Sequence, residues 1–168
     1  LFLFPILISF DSYGGLFDIC IETDAQDRNG IFYLPNETKP FTGNKLCEYE
    51  NGKIKTEGNL KDGKKDGKWT AWYENGQIKA EANYKDGKGN GKWIAWYEDG
   101  QIRGEGNHKD GKEDGKWIAW YENDQIKEES NYKDGKEDGK YTSWFENGQI
   151  RGEGNHKDGK EDGKWIAW

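Results

Sequence analysis

The chain of 168 residues carries 34% charged residues and 24 glycines against only 32% hydrophobics, a mixture too polar for an ordinary two-layer core. Its formal net charge is −7, and no basic run exceeds two residues, which argues against a nucleic-acid groove. The aromatic content of 15% recurs at fixed positions, which argues against disorder and for an elongated sheet built on few, large apolar groups.

The chain opens on an apolar run, Leu1 to Phe10, with neither an initiator methionine nor a basic flank. Ten residues cannot span a bilayer, and the run reads as the tail of a signal-peptide hydrophobic region, with a clipped membrane anchor or a core strand as the other readings. From it follows the expectation of an exported protein, secreted, periplasmic or envelope-associated. Because the chain also stops at Trp168 in the middle of a strand, both ends are expected to be truncated.

Residues 11–40 show no repeat. Ile31 to Leu34 predicts a short strand ended by Pro35-Asn36, and the segment is expected to cap the array that follows. Asn36-Glu37-Thr38 matches a glycosylation acceptor, relevant only to a eukaryotic secretory protein. The two cysteines, Cys20 and Cys47, leave room for one bridge. The place of Cys47 in the column of Ala71, Ala95 and Ala119 favours a small buried thiol instead.

Residues 41–168 form the array, its last unit cut short. All nine tryptophans fall in two columns: Trp69, Trp93, Trp117 and Trp165, joined by Tyr141, and Trp72, Trp96, Trp120, Trp144 and Trp168. Such a fixed period means a stack of small units. Each unit reads as a β-hairpin. Asn75-Gly76 and its equivalents Asn51-Gly52, Asp99-Gly100 and Asn147-Gly148 predict a two-residue type I′ turn. In the fourth full hairpin the pair becomes Asn123-Asp124, where the missing glycine costs about 1 kcal/mol of αL strain.

A two-residue turn would set Tyr73 opposite Ile78, Ala71 opposite Ala80, Trp69 opposite Ala82 and Gly67 opposite Tyr84 on one, packed face. Small residues there, as at Gly106 opposite Trp93, leave room for the indole. The other face would place Trp72, Trp96, Trp120 and Trp144 opposite Lys79, Arg103, Lys127 and Arg151, a stripe of the residue types that anchor interfaces, with Thr70, Ile94, Ile118 and Thr142 opposite Glu81, Glu105, Glu129 and Glu153. The alternative is a cation–π ladder with a purely structural role. Between hairpins runs a polar six-residue connection, such as Asp62 to Gly67. Residues Gly100 to Trp120 are identical to Gly148 to Trp168, the mark of a duplicated two-hairpin block.

The unit GKWxAWYENGQIKxEGNYKDGKxDG resembles the variant form of the MORN repeat found in bacterial proteins, over Phe41 to Trp168. The first unit departs from it by lacking both tryptophans, and the fourth by carrying Glu128 and Ser130 at small, packed positions. The resemblance implies an all-β fold, an elongated single-layer antiparallel sheet of tandem hairpins. It also implies roles seen in such arrays: a protein-binding scaffold, a homodimerisation module, a membrane-lipid binder, or an antitoxin-like neutraliser of a partner toxin.

Catalytic chemistry is not expected. The two histidines, His108 and His156, take the column of Tyr84 and Tyr132 and read as aromatic replacements, with no second ligand nearby for a metal. Glu81, Glu105, Glu129 and Glu153 are copied from unit to unit, whereas an acid and base pair needs two different environments. The Gly-Asp connections lack the ligand order of a calcium loop. No cofactor, no metal and no nucleic acid are expected, and the partner is expected to be a protein.

Overall fold

The computed structural model describes residues 25–168. The apolar run Leu1 to Phe10 and Cys20 lie outside the described residues. The first elements are a two-stranded antiparallel hairpin, β1 (Gln26–Arg28) and β2 (Ile31–Tyr33), joined at Asn29-Gly30. Then comes the array: β3 (Gly43–Glu48), β4 (Ile54–Lys61), β5 (Lys64–Trp72), β6 (Ile78–Lys85), β7 (Lys88–Trp96) and β8 (Ile102–Lys109). It continues with the short β9 (Lys112–Glu113), β10 (Gly115–Trp120), β11 (Ile126–Lys133), the short β12 (Lys136–Glu137), β13 (Gly139–Trp144), β14 (Ile150–Lys157) and β15 (Lys160–Ala167). Among the described residues these thirteen strands form one open antiparallel sheet in near-sequential order, with β3 and β15 at its edges. The all-β ribbon of tandem hairpins expected from the sequence is the fold.

Two kinds of turn alternate along it, and the type I′ turns are not at the Asn-Gly pairs where the sequence placed them. Within a hairpin the loop has three residues. The Gly76 N–H donates to the Tyr73 carbonyl (2.9 Å) and the Tyr73 N–H to the Gln77 carbonyl (2.8 Å). Gly76 takes φ +93° while Asn75 does not turn left-handed. This is a type I turn closed by a left-handed residue, not type I′. Asn75 has another task, accepting the Gln77 N–H on its Oδ1 at 2.8 Å. The type I′ turns are instead the Asp-Gly pairs of the connections, as at Asp62 (φ +49°) and Gly63 (φ +72°), with Lys61 facing Lys64 across them. The six-residue connection is therefore a two-residue hairpin turn that leads directly into the next strand, where the register shifts before the pairing resumes.

The odd loop length has a consequence further down the strand. Gly67 pairs with Tyr84, Trp69 with Ala82, Thr70 with Glu81 and Ala71 with Ala80, as expected, but a β-bulge follows and Trp72 pairs with Ile78. Lys79 is the extra residue. The same shift recurs at Trp96–Ile102, Trp120–Ile126 and Trp144–Ile150.

Neighbouring hairpins are joined by two seams. At one end of the strands the hydroxyls of Tyr49, Tyr73, Tyr97 and Tyr121 donate to the carbonyls of Trp72, Trp96, Trp120 and Trp144 in the next unit, at 2.7–2.9 Å. At the other end the type I′ turns stack: the Gly87, Gly111, Gly135 and Gly159 N–H groups donate to the carbonyls of Lys65, Gly89, Glu113 and Glu137 at 2.8–2.9 Å. For the first turn the N-terminal segment supplies both partners. Gly63 N–H donates to the Phe41 carbonyl, and its own carbonyl accepts from Phe32 N–H.

The packed face holds the buried residues Cys47, Leu60, Trp69 and Ala95. Cys47, 2% exposed, is half of a disulfide, which corrects the expectation of a buried thiol. Gly58, Gly106 and Gly154 lie under the indoles of the next hairpin, Trp69, Trp117 and Trp165, and a methyl group at any of them would fall within the ring. The room left by a small residue thus serves the following unit, not the tryptophan of its own hairpin. Where the intervening residue is glycine the rings draw together: Trp93 and Trp117 lie 5.3 Å apart and Tyr141 and Trp165 5.6 Å. Among the described residues no such contact joins Trp69 to Trp93 or Trp117 to Tyr141, across Ala82 and Ser130. The array therefore alternates with a period of two units.

Candidate functional site

The bulge separates the two halves of the stripe expected from the sequence. Trp72, Trp96, Trp120 and Trp144 are half-buried, and Trp72 shares its face with Thr70, Ile78, Glu81 and Lys68, as Trp144 does with Thr142, Ile150, Glu153 and Lys140. Lys79, Arg103, Lys127 and Arg151 are exposed and lie on the opposite, packed face. Lys79 Nζ stands 5.4 Å from the Tyr73 ring centroid, Lys127 Nζ 5.6 Å from that of Tyr121, and the Arg151 guanidinium 5.9 Å from that of Phe145. Arg103 borders a depression with Trp93 and Trp117. The cation–π ladder exists, but its rings are those of the turn-initiating Tyr73, Tyr121 and Phe145. One extra residue between pairing positions carries the basic column to the packed face and the isoleucine column to the tryptophan face, so the expectation that put Trp72 opposite Lys79 is corrected.

The tryptophan face carries the glutamates that the sequence places there, paired with lysines that sequence reasoning passed over. Lys68 Nζ lies 2.6 Å from Glu81 Oε1, Lys92 Nζ 3.0 Å from Glu105 Oε2, Lys116 Nζ 2.9 Å from Glu129 Oε1 and Lys140 Nζ 3.4 Å from Glu153 Oε2. Each pair is a diagonal across the hairpin, since Lys68 faces Asn83 while Thr70 faces Glu81. The signal was available: a lysine two positions before each Thr70-type residue, with the expected Thr70–Glu81 pairing. What results is a face with a line of indoles, a line of isoleucines of which Ile102 and Ile150 are each 39% exposed, and charges neutralised in place.

The histidines sit in the packed face as ring partners. His108 meets Trp117 edge-on at 5.1 Å and His156 meets Trp165 at 5.0 Å. His156 Nε2 also lies 3.1 Å from Glu137 Oε2. Among the described residues no group of three His, Cys, Asp or Glu side chains is arranged to hold a metal ion. Three phenols are held above their ordinary range: Tyr97, chiefly by desolvation and then by Glu122, Tyr132 by desolvation and Tyr141 by desolvation and then Glu128.

A search of the curated proteins finds no match to the chain. The family model of the MORN repeat variant matches five tandem segments, residues 42–62, 65–86, 90–110, 113–134 and 137–158. The segments follow the hairpin period seen in the sheet, and they cover more than half of the sequence. MORN repeats are in general modules of protein and membrane interaction, a repeat-scaffold type. With its stacked hairpins and its five matched units, the chain belongs to the MORN repeat variant family.

Proposed function

We propose that the array is a non-enzymatic scaffold that binds a protein partner through the face bearing Trp72, Trp96, Trp120 and Trp144. The observation that carries this reading is the continuity of that face. Indole and isoleucine lines run side by side from unit to unit, with no layer of the described residues packed over them. Aligned aromatic groups on an open surface are the usual anchors of an interface. The basic column contributes nothing to this face, and the lysines that do lie on it are each engaged by a glutamate, so it offers no surplus positive field to an anionic membrane. An exported location accompanies the proposal, supported by the bonded state of Cys47.

The test is an affinity capture from a lysate of the source organism, comparing the wild-type array with a variant carrying alanine at Trp72, Trp96, Trp120 and Trp144. Far-UV circular dichroism first establishes that both fold. The expected result is a protein retained by the first and lost by the second. A folded variant that retains the same protein overturns the reading.

A further inference from the structure

In the second unit an ammonium group sits in an aromatic corner. Lys65 Nζ lies 4.5 Å from the ring centroid of Trp69 and 4.9 Å from that of Tyr84. The two rings meet edge-on at 6.4 Å and 75°. Burial makes the charged form of this lysine costly, and Asp27 partly offsets that cost. Two units further along, Trp117 and Tyr132 meet in the same way, at 6.1 Å and 71°, with His108 and Trp93 also against the Trp117 indole where the second unit has Leu60 and Lys45.

There the repeat-equivalent residues have changed sign. Glu113 stands where the second unit has Lys65, Glu128 where it has Ala80, and Glu137 where it has Gly89. One positive charge has given way to three negative ones, and all three carboxylates act on the Tyr132 phenol. The corner opens on a depression lined also by Trp93, Ser130 and Arg103. Two of the carboxylates are partly engaged, Glu128 by the Tyr141 hydroxyl at 3.2 Å and Glu137 by His156. Arg103 is the one opposing charge among the lining residues.

We propose that the corner between Trp117 and Tyr132 receives an alkylammonium group, the lysine side chain of a partner protein. A pair of electron-rich rings with Glu128 lining the depression beside it, and with Glu113 and Glu137 within electrostatic reach of the Tyr132 phenol, is complementary to such a cation, and the array displays the bound arrangement with its own Lys65. This site lies on the packed face and does not rest on the reading of the Trp72 face.

The test is a titration of the folded chain with N-acetyl-lysine methylamide, followed by the NMR resonance of the Trp117 indole N–H. Its side-chain-acetylated counterpart is the neutral control. Expected are a saturable shift with the lysine amide and a response about tenfold weaker with the neutral compound. Glu113→Lys, which installs the second unit's own residue and should fill the corner internally, is expected to abolish binding without loss of fold by circular dichroism. Arg103→Ala should tighten it. No saturable shift up to about 100 mM, the reach of a contact of this strength, overturns the proposal. So does an equal response to the neutral compound, or full binding by a folded Glu113→Lys.

Discussion

Gly106→Ala is the substitution that most directly probes how the hairpins are held together. The added methyl would fall within the Trp117 ring, so the indole must leave the strand or the two strands must part. Overpacking costs about 1–3 kcal/mol, and a methyl placed within a ring belongs at the upper end; replacing a strand glycine returns about 0.5–1 kcal/mol, so a net loss of about 2 kcal/mol is expected. The array itself offers the compensation. At the equivalent position of the next unit stands Ser130, with Tyr141 as the following ring of the column, a larger strand residue before a smaller ring. Gly106→Ala combined with Trp117→Tyr should therefore recover part of the loss, with a coupling energy of about 1 kcal/mol in a double-mutant cycle. Urea unfolding followed by circular dichroism measures the whole, and amide exchange in β8 and β10 locates it. If Gly106→Ala lies within about 0.5 kcal/mol of wild type, or the cycle closes with no coupling, the alternation of stacked and separated rings is not set by the intervening residue.

Asp124 occupies the left-handed position of its loop with φ +61°, where the other units have glycine, so Asp124→Gly should raise stability by about 1 kcal/mol in the same urea assay. Tyr97→Phe deletes the hydroxyl that donates to the Trp120 carbonyl at 2.7 Å and should cost about 0.5–1.5 kcal/mol, with exchange accelerated across the seam between those two hairpins. The raised phenols of Tyr97, Tyr132 and Tyr141 bind their protons more firmly in the folded chain. Their contribution is complete below the ordinary tyrosine range and is lost as pH rises through the raised values, so thermal melts should stay level towards pH about 10 and fall above it. A melting temperature that keeps rising with pH there contradicts the assignment.

Much of the fold was legible because two columns of tryptophan and a recurring Asn-Gly or Asp-Gly pair mark strand and turn at every unit. Gly67 facing Tyr84, Trp69 facing Ala82 and Thr70 facing Glu81 stand as the alternation dictates. The turn types were not legible, since Asn-Gly suits both a two-residue type I′ loop and a three-residue loop in which only Gly76 is left-handed. That single residue of difference put Lys79 and Ile78 on the wrong faces, and with them half of the expected stripe. The packing of the Trp117 indole over Gly106 across the hairpin boundary was also hidden, because the register between units depends on the Asp110-Gly111 turn, which reads from sequence as a polar linker. Cys47 sat in an alanine column, and its column cannot reveal whether its sulfur is bonded.

The two seams also set how the ribbon responds to tension. Its long axis lies across the strands, so a load applied along that axis pulls on the bonds between neighbouring strands one row after another, as a zip opens, and not on many bonds at once. Each unit that yields would lengthen from about 10 Å of sheet to about 80 Å of extended chain. The Tyr-to-Trp hydroxyl bonds and the stacked Asp-Gly turns would have to part together before a unit lets go. A tethered array of this design would act as an extensible link that lengthens in steps of about 70 Å, with its compliance set by the hairpin that holds Asp124 in place of glycine.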